Sequence, residues 1–191
     1  MRRTPQLLLI CTMISASWFL MQAVHEAGHV LAGWMTGGTV ERVILHPLAI
    51  SRTDMKHNPS LLLVCWGGPV LGVVIPAMIW LAAGRLGLPC VFWLRFFAGF
   101  CLIANGAYLA VGVNEGIGDA GDLLRYGSPA WMLYLFGAAT IPTGLWLWNR
   151  QGRDFGLGPN AAPVTWRAAT VSTLVLLATL TAEVVATWLA Q

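Results

Sequence analysis

Residues 6–36 read QLLLICTMISASWFLMQAVHEAGHVLAGWMT: apolar from Leu7 to Leu20, broken by Gln22, His25, Glu26 and His29, then apolar again to Trp34 and Met35. A helix rises about 1.5 Å per residue, so about 20 mostly apolar residues cross the hydrocarbon of a bilayer. This stretch exceeds that length. Arg2 and Arg3 ahead of Leu7–Leu20 imitate the charged and apolar parts of a signal peptide. The apolar character continues well past the polar residues, however, so the segment reads as a retained transmembrane helix. Ionisable groups inside a span are costly unless paired, metal-bound or facing water. His25, Glu26 and His29 are therefore the first candidates for function.

Outward from that helix, the composition agrees with a bilayer environment. The chain of 191 residues is 57% hydrophobic and only 10% charged, whereas a soluble domain carries about 25% charged residues. Four further stretches reach spanning length, at about 61–83, 91–113, 129–149 and 166–189. Pro142 falls inside the fourth and predicts a kink; Trp166 and Trp188 flank the fifth, as expected of interfacial aromatics. Residues 37–60 carry β-branched residues on either side of Pro47 and predict a short hairpin, placed over 38–54. Residues 114–128 are glycine-rich and acidic, and residues 150–164 read as a polar linker. The expected fold is thus an all-α integral membrane protein, with about five transmembrane helices and a hairpin after the first. It forms a single domain over 1–191. The net charge of +3 is scattered, with no basic run, which argues against nucleic acid as a partner. Cys11, Cys65, Cys90 and Cys101 are isolated and give no CxxC-type zinc site.

His25-Glu26-Ala27-Gly28-His29 is an HExxH motif. Residues four apart share a helix face, so both imidazoles can reach one ion. Zinc accepts such nitrogen ligands at about 2.0–2.1 Å, and Glu26 beside them can serve as general base toward a water. A catalytic site of this kind needs a third protein ligand. The extended pattern HExxHxxGxxH does not supply it, because Ala32 and Met35 occupy the relevant positions. The crossings narrow the choice. His25 and His29 lie near the C-terminal end of the first span, and the third span returns the chain to that side. It delivers Asp119 and Asp122 there, both compatible with a first-turn helix acid as well as with ligation. Asp154 falls on the opposite side, and Glu183 lies within the last span at undetermined depth.

Three stretches together resemble the intramembrane site-2 protease class of zinc metallopeptidases (the M50 family), in a minimal form without a PDZ domain. HEAGHVLAGWMTG at 25–37 resembles the family's HExGH helix. WGGPVLG at 66–72 resembles its AGP-type stretch. DAGDLLR at 119–125 resembles the DGG-hydrophobic-hydrophobic-Arg stretch that holds the third ligand, with Ala120 in place of the usual glycine. The leucine–proline run that normally precedes the aspartate is replaced by Asn114-Glu115-Gly116-Ile117-Gly118. The likeness covers roughly residues 6–126.

The resemblance implies zinc held by His25, His29 and Asp119. It also implies Glu26 as the catalytic base, and hydrolysis of a membrane-spanning protein or peptide at or within the bilayer, with the hairpin beside the site. Asn105 or Asn114 could hold substrate or simply bond helix to helix. His46 and His57 read as loop residues. Two other functions remain open: a non-catalytic zinc-binding membrane protein with a structural or partner-binding role, and a zinc hydrolase of another substrate. For location, a cell membrane is the expectation. Orientation draws two opposed indications. Arg2, Arg3, Arg85, Arg95, Arg150, Arg153 and Arg167 favour their side as the inner one against Arg42, Arg52, Lys56 and Arg125, whereas the family resemblance puts the site end toward the cytoplasm.

Overall fold

A backbone in hydrocarbon has no water to satisfy its N–H and C=O groups, so each long apolar stretch closes its own hydrogen bonds as a helix. The computed structural model describes residues 3–48 and 51–189. In it the expected spans are α1 (Thr4–Met35), α2 (Leu61–Arg85), α3 (Val91–Glu115), α5 (Ala130–Trp148) and α6 (Trp166–Leu189), with a short α4 (Gly118–Arg125) between α3 and α5. Five of these helices are long and apolar enough to cross a membrane, as the composition predicts. The chain is an all-α, multi-pass architecture with a two-stranded hairpin after α1.

The hairpin pairs β1 (Thr39–Ile44) antiparallel with β2 (Arg52–His57), with register irregularities between Thr39 and Arg42. Its second strand begins and ends later than the expected 38–54. Pro47 and Leu48 form a turn instead of opening a strand, because proline has no ladder donor. Ala49 and Ile50, read as part of that strand, lie outside the described residues. His57, read as a loop residue, closes β2 opposite Thr39.

Close backbone approach sets the α1–α2 contact. A Cβ built on Gly28 would come within 2.5 Å of the Gly67 carbonyl oxygen and 2.9 Å of the Gly68 Cα. Small residues at such a crossing let two helices dock on van der Waals contact where no hydrophobic driving force acts. Helix α3 packs against α5 in the same way, through Gly106 and Gly137, and Phe96 stacks on Trp148 at 5.0 Å. Helix α5 passes through Pro142 without interruption, and α2 through Pro69 and Pro76.

The expected polar linker is more ordered than its composition suggests. Gln151–Phe155 forms a 3-10 turn whose Phe155 enters the cluster of Leu9, Met13, Phe96 and Ala169. The Gln6 side-chain amide donates to Phe155 O (2.8 Å) and Gly156 O (3.0 Å), tying the turn to α1. A single phenylalanine among polar residues is too short a pattern to show as an element. Helix α6 then runs alongside α1 through Thr12 Oγ1 donating to Ser172 Oγ at 2.7 Å.

Gly28→Val should separate α1 from α2 and lower stability by about 1–3 kcal/mol, the usual cost of overpacking. A Cβ at Gly84 meets nothing within 4 Å, so Gly84→Ala should leave stability equal or raise it by about 1 kcal/mol. Thermal unfolding of the two purified variants in one detergent checks the contrast.

Candidate metal centre

Helical spacing places His25 and His29 one turn apart on the α1 face that meets α2 and α3, and both are buried. Their rings meet edge to face with centroids 4.9 Å apart. Gly68 makes this possible, because a side chain there would collide with His29 Nε2 and lie 2.8 Å from His25 Nε2.

Each ring is held by its other nitrogen. His25 Nδ1 lies 2.6 Å from Asn105 Oδ1, and His29 Nδ1 lies 2.8 Å from Val64 O. The Asn105 amide nitrogen donates to Cys101 O at 2.9 Å, which leaves its oxygen toward the imidazole. Both Nδ1 atoms therefore face acceptors and carry the ring proton, so both Nε2 lone pairs are free for an ion. This outer bonding is the arrangement that fixes metal-ligating histidines.

The third donor arrives by a tight reversal. Gly116 and Gly118 both have left-handed backbone, at φ 64° and 56°, where glycine carries no Cβ penalty. The turn between α3 and α4 points Asp119 back at α1. Asp119 Oδ2 lies 2.7 Å from His25 Nε2 and 3.3 Å from His29 Nε2, and the two Nε2 atoms are 3.2 Å apart. Ligands at about 2.0–2.1 Å around a tetrahedral ion sit about 3.3 Å from one another, which matches the His29 Nε2–Asp119 and His25–His29 separations, while His25 Nε2–Asp119 is shorter. Two imidazoles and one carboxylate could thus hold a metal ion.

Asp122, the alternative third ligand, is half-exposed and turned to Arg125 at 2.8 Å, outside the group. Glu183 is buried on α6 and also outside it; its Oε1 has no partner among the described residues. Asn114 accepts from Tyr134 Oη at 3.0 Å and so bonds α3 to α5. His46 accepts from Leu48 N within its loop.

Glu26 is 3% exposed, and among the described residues it forms no ion pair. Its Oε2 accepts a hydrogen bond from Thr53 Oγ1 on β2 at 2.8 Å. The hairpin is pinned to α1 here and at Met55, whose terminal methyl covers Gly33. At the hairpin surface Arg42 bonds Asp54 at 2.6 Å and holds that carboxyl below its usual range. A cavity of about 1430 Å³ opens over the group, bounded by Trp18 and Gln22 of α1, Ala104 and Tyr108 of α3, and Thr53 of β2.

Three supporting groups were not visible from the motif. The Val64 carbonyl carries no side-chain signal. Thr53 depends on where the hairpin folds back. Tyr108, whose hydroxyl accepts the Asp119 N–H at 3.0 Å, is three residues after Asn105, so its shared helix face with a recognised candidate could have found it. Searches of protein-family models, curated proteins and solved structures return no match to this chain.

Bound zinc, measured by mass spectrometry after equilibration with a competing chelator, should disappear in Asp119→Ala and persist in Asp122→Ala. Asn105→Ala should lower zinc affinity by about 10–100-fold, the usual cost of deleting an outer-shell partner.

Proposed function

We propose that this chain is an intramembrane zinc metalloprotease of the site-2 protease class, resident in the cell membrane. One observation carries the reading. A buried carboxylate, Glu26, stands next to the three-donor group, and among the described residues it has no cation to neutralise it and only a threonine hydroxyl to hold it. A structural metal site has no need of such a group, and leaving it there is costly. As a proton acceptor it has a use.

Zinc, when bound, supplies Lewis acidity toward a carbonyl and lowers the pKa of water. The chain's own residues do the rest. Asn105 and Val64 hold the imidazoles in the ligating tautomer. Thr53 occupies Glu26 Oε2, and Oε1 makes no hydrogen bond among the described residues. Oε1 is therefore the atom that takes a proton from the attacking water and returns it to the departing amine, by general acid–base catalysis. Water reaches it through the cavity between α1 and α3.

A helical substrate hides its peptide bonds, so the scissile segment has to be extended before attack. The hairpin offers a template for that. In this two-stranded sheet the outer edge of β2 has no ladder partner among the described residues, and β2 lines the cavity beside Glu26. Strand addition along β2 would present main chain to the metal centre. The expected substrate is a membrane-spanning protein or peptide.

Glu26→Gln should cut turnover of single-span test substrates by about 10²–10⁴-fold, the range for general acid–base catalysis, while zinc stays stoichiometric. Undiminished cleavage would remove this mechanism, whereas stoichiometric zinc with no cleavage by wild type would leave the non-catalytic zinc-binding reading. Thr53→Val should lower kcat by about tenfold, the worth of one hydrogen bond to a charged group, with Thr53→Ser near wild type. Equal kcat in all three proteins would show that the hydroxyl does not position the base.

A further inference from the structure

The bundle end away from the metal centre gathers the starts of α1, α3 and α6 and the ends of α2 and α5. Among the described residues it carries Arg3, Arg85, Arg95, Arg150, Arg153 and Arg167, with Asp154 the only acid. The opposite end mixes Arg42, Arg52, Lys56 and Arg125 with Glu41, Asp54, Glu115, Asp119 and Asp122. Net positive charge is therefore concentrated at one end of a membrane-spanning bundle.

Two of these arginines share a recess. Arg95, Trp146, Asn149 and Arg150 line a cavity of about 450 Å³ where α3 meets α5. Arg95 is anchored by one donor, Nη2 to Asn149 O at 3.1 Å, and its Nε is buried without a partner. Neither arginine forms an ion pair among the described residues. Arg150 is also the only non-glycine described residue with positive φ, at 66°. That conformation is disfavoured for a residue with a side chain. Two guanidiniums line one recess, and a left-handed backbone holds one of them there. An anion in the recess would supply a counter-charge that neither has among the described residues.

We propose that this recess binds a phosphate group, supplied by the headgroup of an anionic phospholipid. Guanidinium forks match phosphate oxygens in paired hydrogen bonds. The recess lies where α5 leaves the membrane, and Trp146, 65% exposed, stands there in the manner of an interfacial aromatic. Basic pockets between transmembrane helices recognise anionic headgroups on the same physical grounds. The inference does not depend on the metal centre's reading.

The test uses the full chain in nanodiscs of phosphatidylcholine, alone or mixed with phosphatidylglycerol. Lipid retained on transfer to detergent is read by native mass spectrometry. Wild type should keep a single phosphatidylglycerol. Arg95→Gln and Arg150→Gln should each reduce that retention by about fivefold. Arg153→Gln, which removes a charge from the same end without touching the recess, should retain as much as wild type. Because Arg150 is exposed, its variant decides the matter even if Arg95→Gln does not fold. Retention by Arg150→Gln equal to wild type would overturn the proposal. So would an equal loss in Arg153→Gln, which would mean diffuse attraction. A second arm adds inorganic phosphate to protein in phosphatidylcholine alone. A raised unfolding temperature in wild type but not in Arg150→Gln supports the phosphate site. If phosphatidylglycerol is then not retained, the lipid source is overturned in favour of free phosphate.

Discussion

Imidazole and carboxylate groups at bilayer depth cost several kcal/mol apiece unless each finds a partner, and the core of this protein is organised around that constraint. Asn105 and the Val64 carbonyl take the outer nitrogens of His25 and His29. Asp119 brings its carboxylate to the inner nitrogens. Thr53 reaches in from the hairpin to Glu26. Four separate segments thus converge on one stretch of α1.

Convergence of that kind needs helices that approach closely, which explains where the glycines fall. Gly28 and Gly67 let α1 and α2 touch at the backbone, and Gly68 leaves room for the imidazoles themselves. Gly116 and Gly118 turn the chain sharply enough for Asp119 to face inward. Packing and chemistry are therefore not separable here. A methyl group at Gly68 would fall on the histidine nitrogens of the three-donor group.

Much of this was legible in the sequence because the bilayer imposes a simple code. Length and apolarity found all five long helices within a few residues of their ends. The HExxH spacing found the paired imidazoles, and counting crossings brought Asp119 and Asp122 to the correct side. Choosing between them took the resemblance, and the structure places only Asp119 within reach of the histidines. Less legible were features resting on single contacts. Phe155, buried from within a polar stretch, had no periodicity to reveal it. The second strand was set too early because Leu48, Ala49 and Ile50, directly after the Pro47 break, have strand-like side chains, whereas β2 begins at Arg52. Thr53 and the Val64 carbonyl belong to a fold-back and a backbone, where side-chain pattern carries no information.

The proposed hydrolysis depends on a metal resting between His25, His29 and Asp119. X-ray absorption at the zinc edge of the purified chain addresses that dependence directly. The first shell should hold nitrogen and oxygen only, with two imidazole scatterers at about 2.0–2.1 Å. A sulfur shell at about 2.3 Å, as Cys65 at the cavity wall would give, would rule this centre out, and so would protein that binds no zinc.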